Sequence, residues 1–171
     1  MKNTHSRRLV VVCLSATFAL SAFTACQSNQ SPTPKQQYST DVAYSASQYT
    51  MFLNKEITTV TNQLTTQMAM ADGVAHNSSY PIEDAIKSVD SSIKIMDECI
   101  ENVDEMFPPA DYYEDRENLL ECMKNTKSTL ETYRDAIKSK PIDTKKIEEL
   151  IKIMEGDYLA ITAISNIYWE K

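Results

Sequence analysis

The sequence predicts an all-α domain, an up-down-up-down antiparallel four-helix bundle. Three observations carry that prediction. The 171 residues include only 2 Gly and 6 Pro, so long stretches run without punctuation. From about Thr40 onward apolar residues recur in alternating steps of three and four, the spacing of one helix face. Breakers interrupt the pattern at Asp72-Gly73, Pro108-Pro109 and Lys140-Pro141, which leaves four segments. Segments of roughly 26–31 residues make helices about 40–45 Å long, and short loops between them imply antiparallel neighbours.

The first segment, from about Asp41 to Ala71, carries a stripe of Ala46, Tyr49, Leu53, Ile57, Val60, Leu64, Met68 and Ala71. Thr58, Thr59, Thr61, Thr65 and Thr66 surround it, and Thr is a poor helix former. Asp72-Gly73 is expected to end this helix, with His76 in the following loop.

In the second segment every member of the seam Ile82, Ile86, Val89, Ile93, Met96, Ile100, Val103 and Phe107 is apolar. This is a heptad pattern with Ile100 at a and Met96 at d. Pro81 suits a first helical turn, and Glu83 and Asp84 suit the N-terminal dipole.

The third seam restarts after Pro108-Pro109 with Tyr112, Arg116, Leu119, Met123, Thr126, Leu130, Tyr133 and Ile137. Arg116 and Thr126 are polar, so this face is expected to pack less well. In the fourth segment Asp143 is the expected N-cap, with Ile142 and Ile147 placed as a hydrophobic staple. Its stripe is Ile147, Leu150, Ile151, Met154, Tyr158, Ile161, Ile164 and Tyr168. Gly156 lies inside this helix at a cost of roughly 1 kcal/mol against Ala, which suggests a close contact.

Before the bundle come two different segments. Lys2, Arg7 and Arg8 form a positive region, and Leu9 to Leu20 an apolar run too short for a comfortable membrane span. Small residues follow, then Phe23-Thr24-Ala25-Cys26. This resembles the lipobox of bacterial lipoprotein signals, cut before a Cys that carries a diacylglycerol. Phe23 stands where the pattern usually has Leu, and the resemblance covers only the first 26 residues. It implies a signal peptide at 1–25, a lipidated Cys26, and a location on the extracytoplasmic face of the cell membrane. Residues 26–40 then read as the lipidated Cys and a polar, Pro-containing, disordered linker that gives a reach of about 20 Å. The bundle occupies 41–171.

Cys13 leaves with the signal and Cys26 is assigned to lipid, so Cys99 and Cys122 remain as a pair in an oxidising compartment. Each directly precedes an a-position residue, Ile100 and Met123. Both are therefore g positions, and g faces g across an antiparallel seam. Each also lies at about the same distance from the Pro-Pro turn. A Cys99–Cys122 disulfide is expected, worth roughly 3 kcal/mol for a loop of about two dozen residues.

The inventory of chemical groups is short. His76 is the single His after residue 26, so the paired Glu-x-x-His pattern of a di-iron bundle is missing. No Cys-x-x-Cys-His for covalent haem and no Gly-x-Ser-x-Gly elbow occurs. The methionines Met68, Met96, Met106, Met123 and Met154 read as core filling. No cofactor, no metal and no enzymatic activity are expected.

Charge is distributed unevenly. Removing Lys2, Arg7 and Arg8 takes the formal net charge from −7 to about −10. Between Asp97 and Glu121 ten acids face Arg116 alone, a local net of −9. Such a body is a poor match for nucleic acid. Phe107, Asp111, Tyr112, Tyr113, Glu114 and Asp115 gather at the expected hairpin tip, and are the candidate contacts for a basic partner. The opposite end would carry the His76 loop with Lys138, Lys140, Lys145 and Lys146, and could meet an anionic envelope polymer. The function expected is a membrane-anchored, non-catalytic helical module that binds a protein or envelope component. The alternative is a carrier or sensor of a small apolar ligand, held in a cavity lined by Tyr49, Leu53, Tyr133 and Tyr158.

Overall fold

The computed structural model describes residues 44–169, and their side chains through Asn166. The expected signal, Cys26 and the linker at 26–40 lie outside the described residues. Within them the chain is helical and contains no strand: α1 (Ala46–His76), α2 (Ile82–Glu105), α3 (Tyr113–Lys138) and α4 (Thr144–Trp169), with one 3-10 turn at Ala110–Tyr112. Helix α1 packs against α2 and α4, and α3 packs against the same two, which is consistent with a bundle.

Each helix start has a local cause. Ser45 caps α1 in a reciprocal box: its hydroxyl accepts from the Gln48 amide at 3.3 Å, and Gln48 Oε1 accepts from the Ser45 amide at 3.2 Å. The observed α1 therefore begins later than expected. Asp143 caps α4 as expected, its Oδ1 accepting from the Lys145 and Lys146 amides at 3.1 and 3.2 Å. Ile147 of the staple is fully buried. Met106 leaves α2 in an extended conformation, and Pro108-Pro109 separate it from α3.

Threonine is accommodated in α1 by one recurring bond. The hydroxyls of Thr50, Thr59, Thr61, Thr65 and Thr66 each donate to the carbonyl four residues back, at 2.9–3.0 Å. This satisfies the hydroxyl without competing for a backbone donor.

The α3 seam is buried at all eight expected positions, Arg116 and Thr126 included. The α2 seam is rotated from its expected line. Ile82, Ile86 and Ile100 are only half-buried, whereas Ala85, Ser92 and Cys99 are buried. The rotation turns polar α2 residues toward polar α1 residues. Gln67 Nε2 donates to Ser88 at 2.8 Å and Ser92 at 2.9 Å, and the Ser92 hydroxyl donates to Gln63 at 2.8 Å.

Both glycine expectations are corrected. Gly73 does not end α1, which runs on to His76, and the Gly73 carbonyl accepts from the Asn77 amide. A Cβ at Gly73 would collide with the Tyr80 ring, so this glycine makes room for an aromatic from the following loop. At Gly156 a Cβ would meet nothing within 4 Å, so the expected close contact is absent from the described structure.

Candidate functional site

The acidic hairpin tip is built around one buried cation. Arg116 is 4% exposed. Its Nε donates to the Val103 carbonyl at 3.0 Å, and Nη2 donates to the Asp104 carbonyl. Both carbonyls belong to the last turn of α2, which has no basic residue of its own. Arg116 therefore supplies from α3 the C-terminal cap that α2 lacks. Its outer edge reaches two carboxylates, Glu117 at 2.6 Å and Asp104 at 3.3 Å. The polar residue that sequence reasoning took for an imperfection is the fastener of the tip.

Around this fastener the six candidate contact residues separate. The Tyr112 ring is buried and meets Tyr49 edge-on, with centroids 5.5 Å apart at 67°. It belongs to the core and is removed from the candidate surface. Phe107, Tyr113, Asp111 and Glu114 are exposed, the two aromatics at 39% and 37%, and Asp115 is half-buried. Two partly exposed aromatics and two exposed acids thus lie around the turn between α2 and α3. A shallow groove of about 370 Å³ continues from the tip along the outer side of α3, bounded by Glu117, Leu120, Glu121 and Lys124.

The opposite end differs from its expected basic character. Lys138 lies 3.9 Å from Asp90, which also pairs with Arg134 at 3.8 Å. His76 is the last residue of α1 rather than a loop residue. Its ring sits 3.2 Å from Asp72 and 3.7 Å from Glu148, joining the end of α1 to the start of α4. Acids and lysines alternate there, and no single-sign surface results.

The expected disulfide is a second correction. Cys99 and Cys122 are both buried, and no disulfide joins them. The register reasoning holds: the ion pairs Arg116–Asp104, Lys127–Asp97 and Arg134–Asp90 bring the two cysteines to the same level of the α2–α3 pair. The side was misjudged, because the rotation of α2 makes Cys99 a core residue beside Glu56 of α1. Burial, then the neighbouring Glu56 carboxylate, push the Cys99 thiol up to about 12.

Sequence reasoning missed Glu56, Gln63 and Gln67, because a polar residue on a helix gives no periodic sign that it is buried. Glu56 is 2% exposed. Its Oε2 accepts from Asn102 at 3.3 Å. Its Oε1 lies 3.3 Å from Lys55 Nζ, an ion-pair distance without hydrogen-bond alignment. Glu56, Gln63, Gln67, Ser88, Ser92, Cys99 and Asn102 make the α1–α2 interface a polar seam.

The four residues expected to line a ligand cavity do not gather around one space. Tyr49 meets Tyr112, Tyr133 is coupled to Tyr80, and Tyr158 is half-buried on α4. Burial raises both Tyr49 and Tyr133 well above the usual tyrosine range. Among the described residues no group of three or more His, Cys, Asp and Glu is arranged to hold a metal ion. Among them, too, no helix is long and apolar enough to cross a membrane. No family model, no curated protein and no solved structure matches the chain.

Proposed function

We propose that this protein is a lipoprotein held on the extracytoplasmic face of the cell membrane through lipid on Cys26, where its helical domain binds a cationic protein or envelope component without catalysis. In this reading residues 1–25 are the signal peptide and the helices follow up-down-up-down order. The order is supported by His76 beside Glu148, Gln67 beside Ser88, and Thr129 Oγ1 donating to Asp157 at 3.0 Å.

The hairpin tip carries the binding assignment. Phe107 and Tyr113 are partly exposed around the same turn as the exposed Asp111 and Glu114, and Arg116 anchors that turn. A cationic side chain laid on such a surface gains a cation–π contact of about 0.5–1 kcal/mol together with an ion pair. Nucleic acid and anionic polymers are repelled by the same charges. The apolar-ligand reading is not retained, since the residues chosen for it face different neighbours.

A photo-crosslinking residue at Tyr113 tests the proposal in intact cells. It should capture one partner, and Asp111→Lys with Glu114→Lys should abolish that capture. A residue placed at Ser79, at the other end of α1, should not capture it. Equal capture from both ends, or capture that survives charge reversal, would refute the assignment.

A further inference from the structure

Charge divides the bundle lengthwise. The acids concentrate on α2 and α3, whereas α1 has no charged residue from Ile57 to Ala71 and α4 none from Tyr158 to Trp169. These two helices pack against each other. The two most exposed large apolar side chains of the described residues are on them, Met51 at 69% and Leu159 at 67%. Thr58, Asn62 and Thr65 are exposed around Met51's side of α1, and Ala163 is half-buried beyond Leu159. The α1–α4 side thus has an uncharged middle, with exposed Lys55 one turn from Met51 and exposed Glu155 one turn from Leu159, opposite the acidic side.

We infer that the α1–α4 side is a lipid-contacting face, on which the domain rests against the zwitterionic headgroups of its own membrane. The inference rests on the anchoring of Cys26 proposed above. Residues 27–43 separate Cys26 from Tyr44 and span at most about 60 Å, so the start of α1 stays within that distance of the bilayer. At that reach the effective concentration of the face at the membrane is on the order of millimolar, and weak contacts suffice. The charges beside Met51 and Leu159, Lys55 and Glu155, are of opposite sign, so entry into the headgroup boundary meets little net electrostatic penalty, whereas the α2–α3 side would be repelled by anionic lipid. Neither α1 nor α4 is apolar enough to span, so the contact is interfacial. The bundle then lies on its side, with the acidic tip free to meet a partner.

The test uses the mature chain, residues 26–171, with Cys26→Ser, which carries neither the lipid nor the apolar run Leu9 to Leu20, and phosphatidylcholine vesicles at millimolar lipid. It should sediment with the vesicles to an extent unchanged between 0.05 and 0.5 M NaCl. Met51→Glu with Leu159→Glu should reduce the bound fraction at least fivefold. Lys124→Glu on α3 should leave it unchanged, and circular dichroism melts should show both variants folded. Failure of Cys26→Ser chain to sediment, or equal binding by the double variant, would overturn the inference. So would a concentration-dependent dimer that is lost in the double variant while no vesicle binding occurs, because a second copy would then be the occupant. Detergent-phase partition of the full chain, dependent on Cys26, tests the anchor by itself. Its failure would remove the tethering on which the face depends.

Discussion

Replacing Arg116 by Met should destabilise the domain by about 2–4 kcal/mol, and the cause should be lost capping rather than lost ion pairing. The methionine fills similar volume, so the cavity contribution is small. What disappears is the donor set for the Val103 and Asp104 carbonyls at the end of α2. Leaving a buried acceptor unsatisfied costs about 1–3 kcal/mol, and two are involved, of which the Asp104 carbonyl is nearer solvent. The carboxylates of Asp104 and Glu117 are 64% and 60% exposed, so they regain water and contribute under about 1 kcal/mol each. Asp104→Asn and Glu117→Gln should therefore cost little. Urea unfolding followed by circular dichroism measures all three, and a common slope makes the midpoints comparable. The Arg116→Met penalty should persist in 1 M NaCl, where surface pairs are screened. If either carboxylate variant matched Arg116→Met, or if salt removed the difference, capping would not be what holds the tip.

The remaining predictions concern other sites. Gly156→Ala should stabilise by about 0.5–1 kcal/mol, raising the melting temperature a few degrees, because helix propensity improves and the new methyl meets nothing. Gly73→Ala should lower it, because the Tyr80 ring must leave its place. In a chain with Cys122→Ser, native Cys99 should react with iodoacetamide at pH 8 about a thousandfold more slowly than in urea, since its thiol titrates near 12 rather than 9.0. A native rate within tenfold of the denatured one would contradict the burial of the Cys99 thiol beside Glu56. Burial also raises the Asp157 carboxyl, against a smaller lowering by Thr129. A raised carboxyl favours folding when protonated, so its contribution is complete below the unfolded value near 3.8 and is lost as pH rises through the folded value. Asp157→Asn should thus raise the melting temperature at pH 7, and the gain should vanish by pH 3 in calorimetric scans.

How much of this was legible from sequence depends on which property each position uses. The α3 seam was readable at every position, because Leu119, Met123, Leu130 and Ile137 are apolar at constant spacing and carry Arg116 and Thr126 along with them. The α2 seam was misread by a fraction of a turn. Isoleucines at 82, 86 and 100 advertise burial strongly, yet Ser92 and Cys99 are the residues drawn inward by Gln63, Gln67 and Glu56. Apolar periodicity on one helix contains nothing about polar complementarity with another. The disulfide expectation failed for the same reason, since level is fixed by counting from the turn whereas side depends on the roll of the helix. At the tip, the aromatic and acidic composition was legible, but the division between buried Tyr112 and exposed Tyr113 was not. Adjacent tyrosines look alike until the 3-10 turn assigns one to each side of the chain.

The polar seam between α1 and α2 has a consequence for which alignment the chain accepts. Aliphatic helices slide by a heptad at modest cost, because one branched side chain replaces another. Here a slide that moves each α1 residue seven positions along α2 would set Gln67 against Ile95 and Glu56 against Pro109. The opposite slide would bring Gln67 to Pro81 and Gln63 to Ala85. Each misplacement strands an amide or carboxylate away from water, at about 1–3 kcal/mol apiece. The hydroxyls and amides of this interface thus act as a key cut for one lock position, and the sequence forgoes some apolar burial there in return for a single alignment.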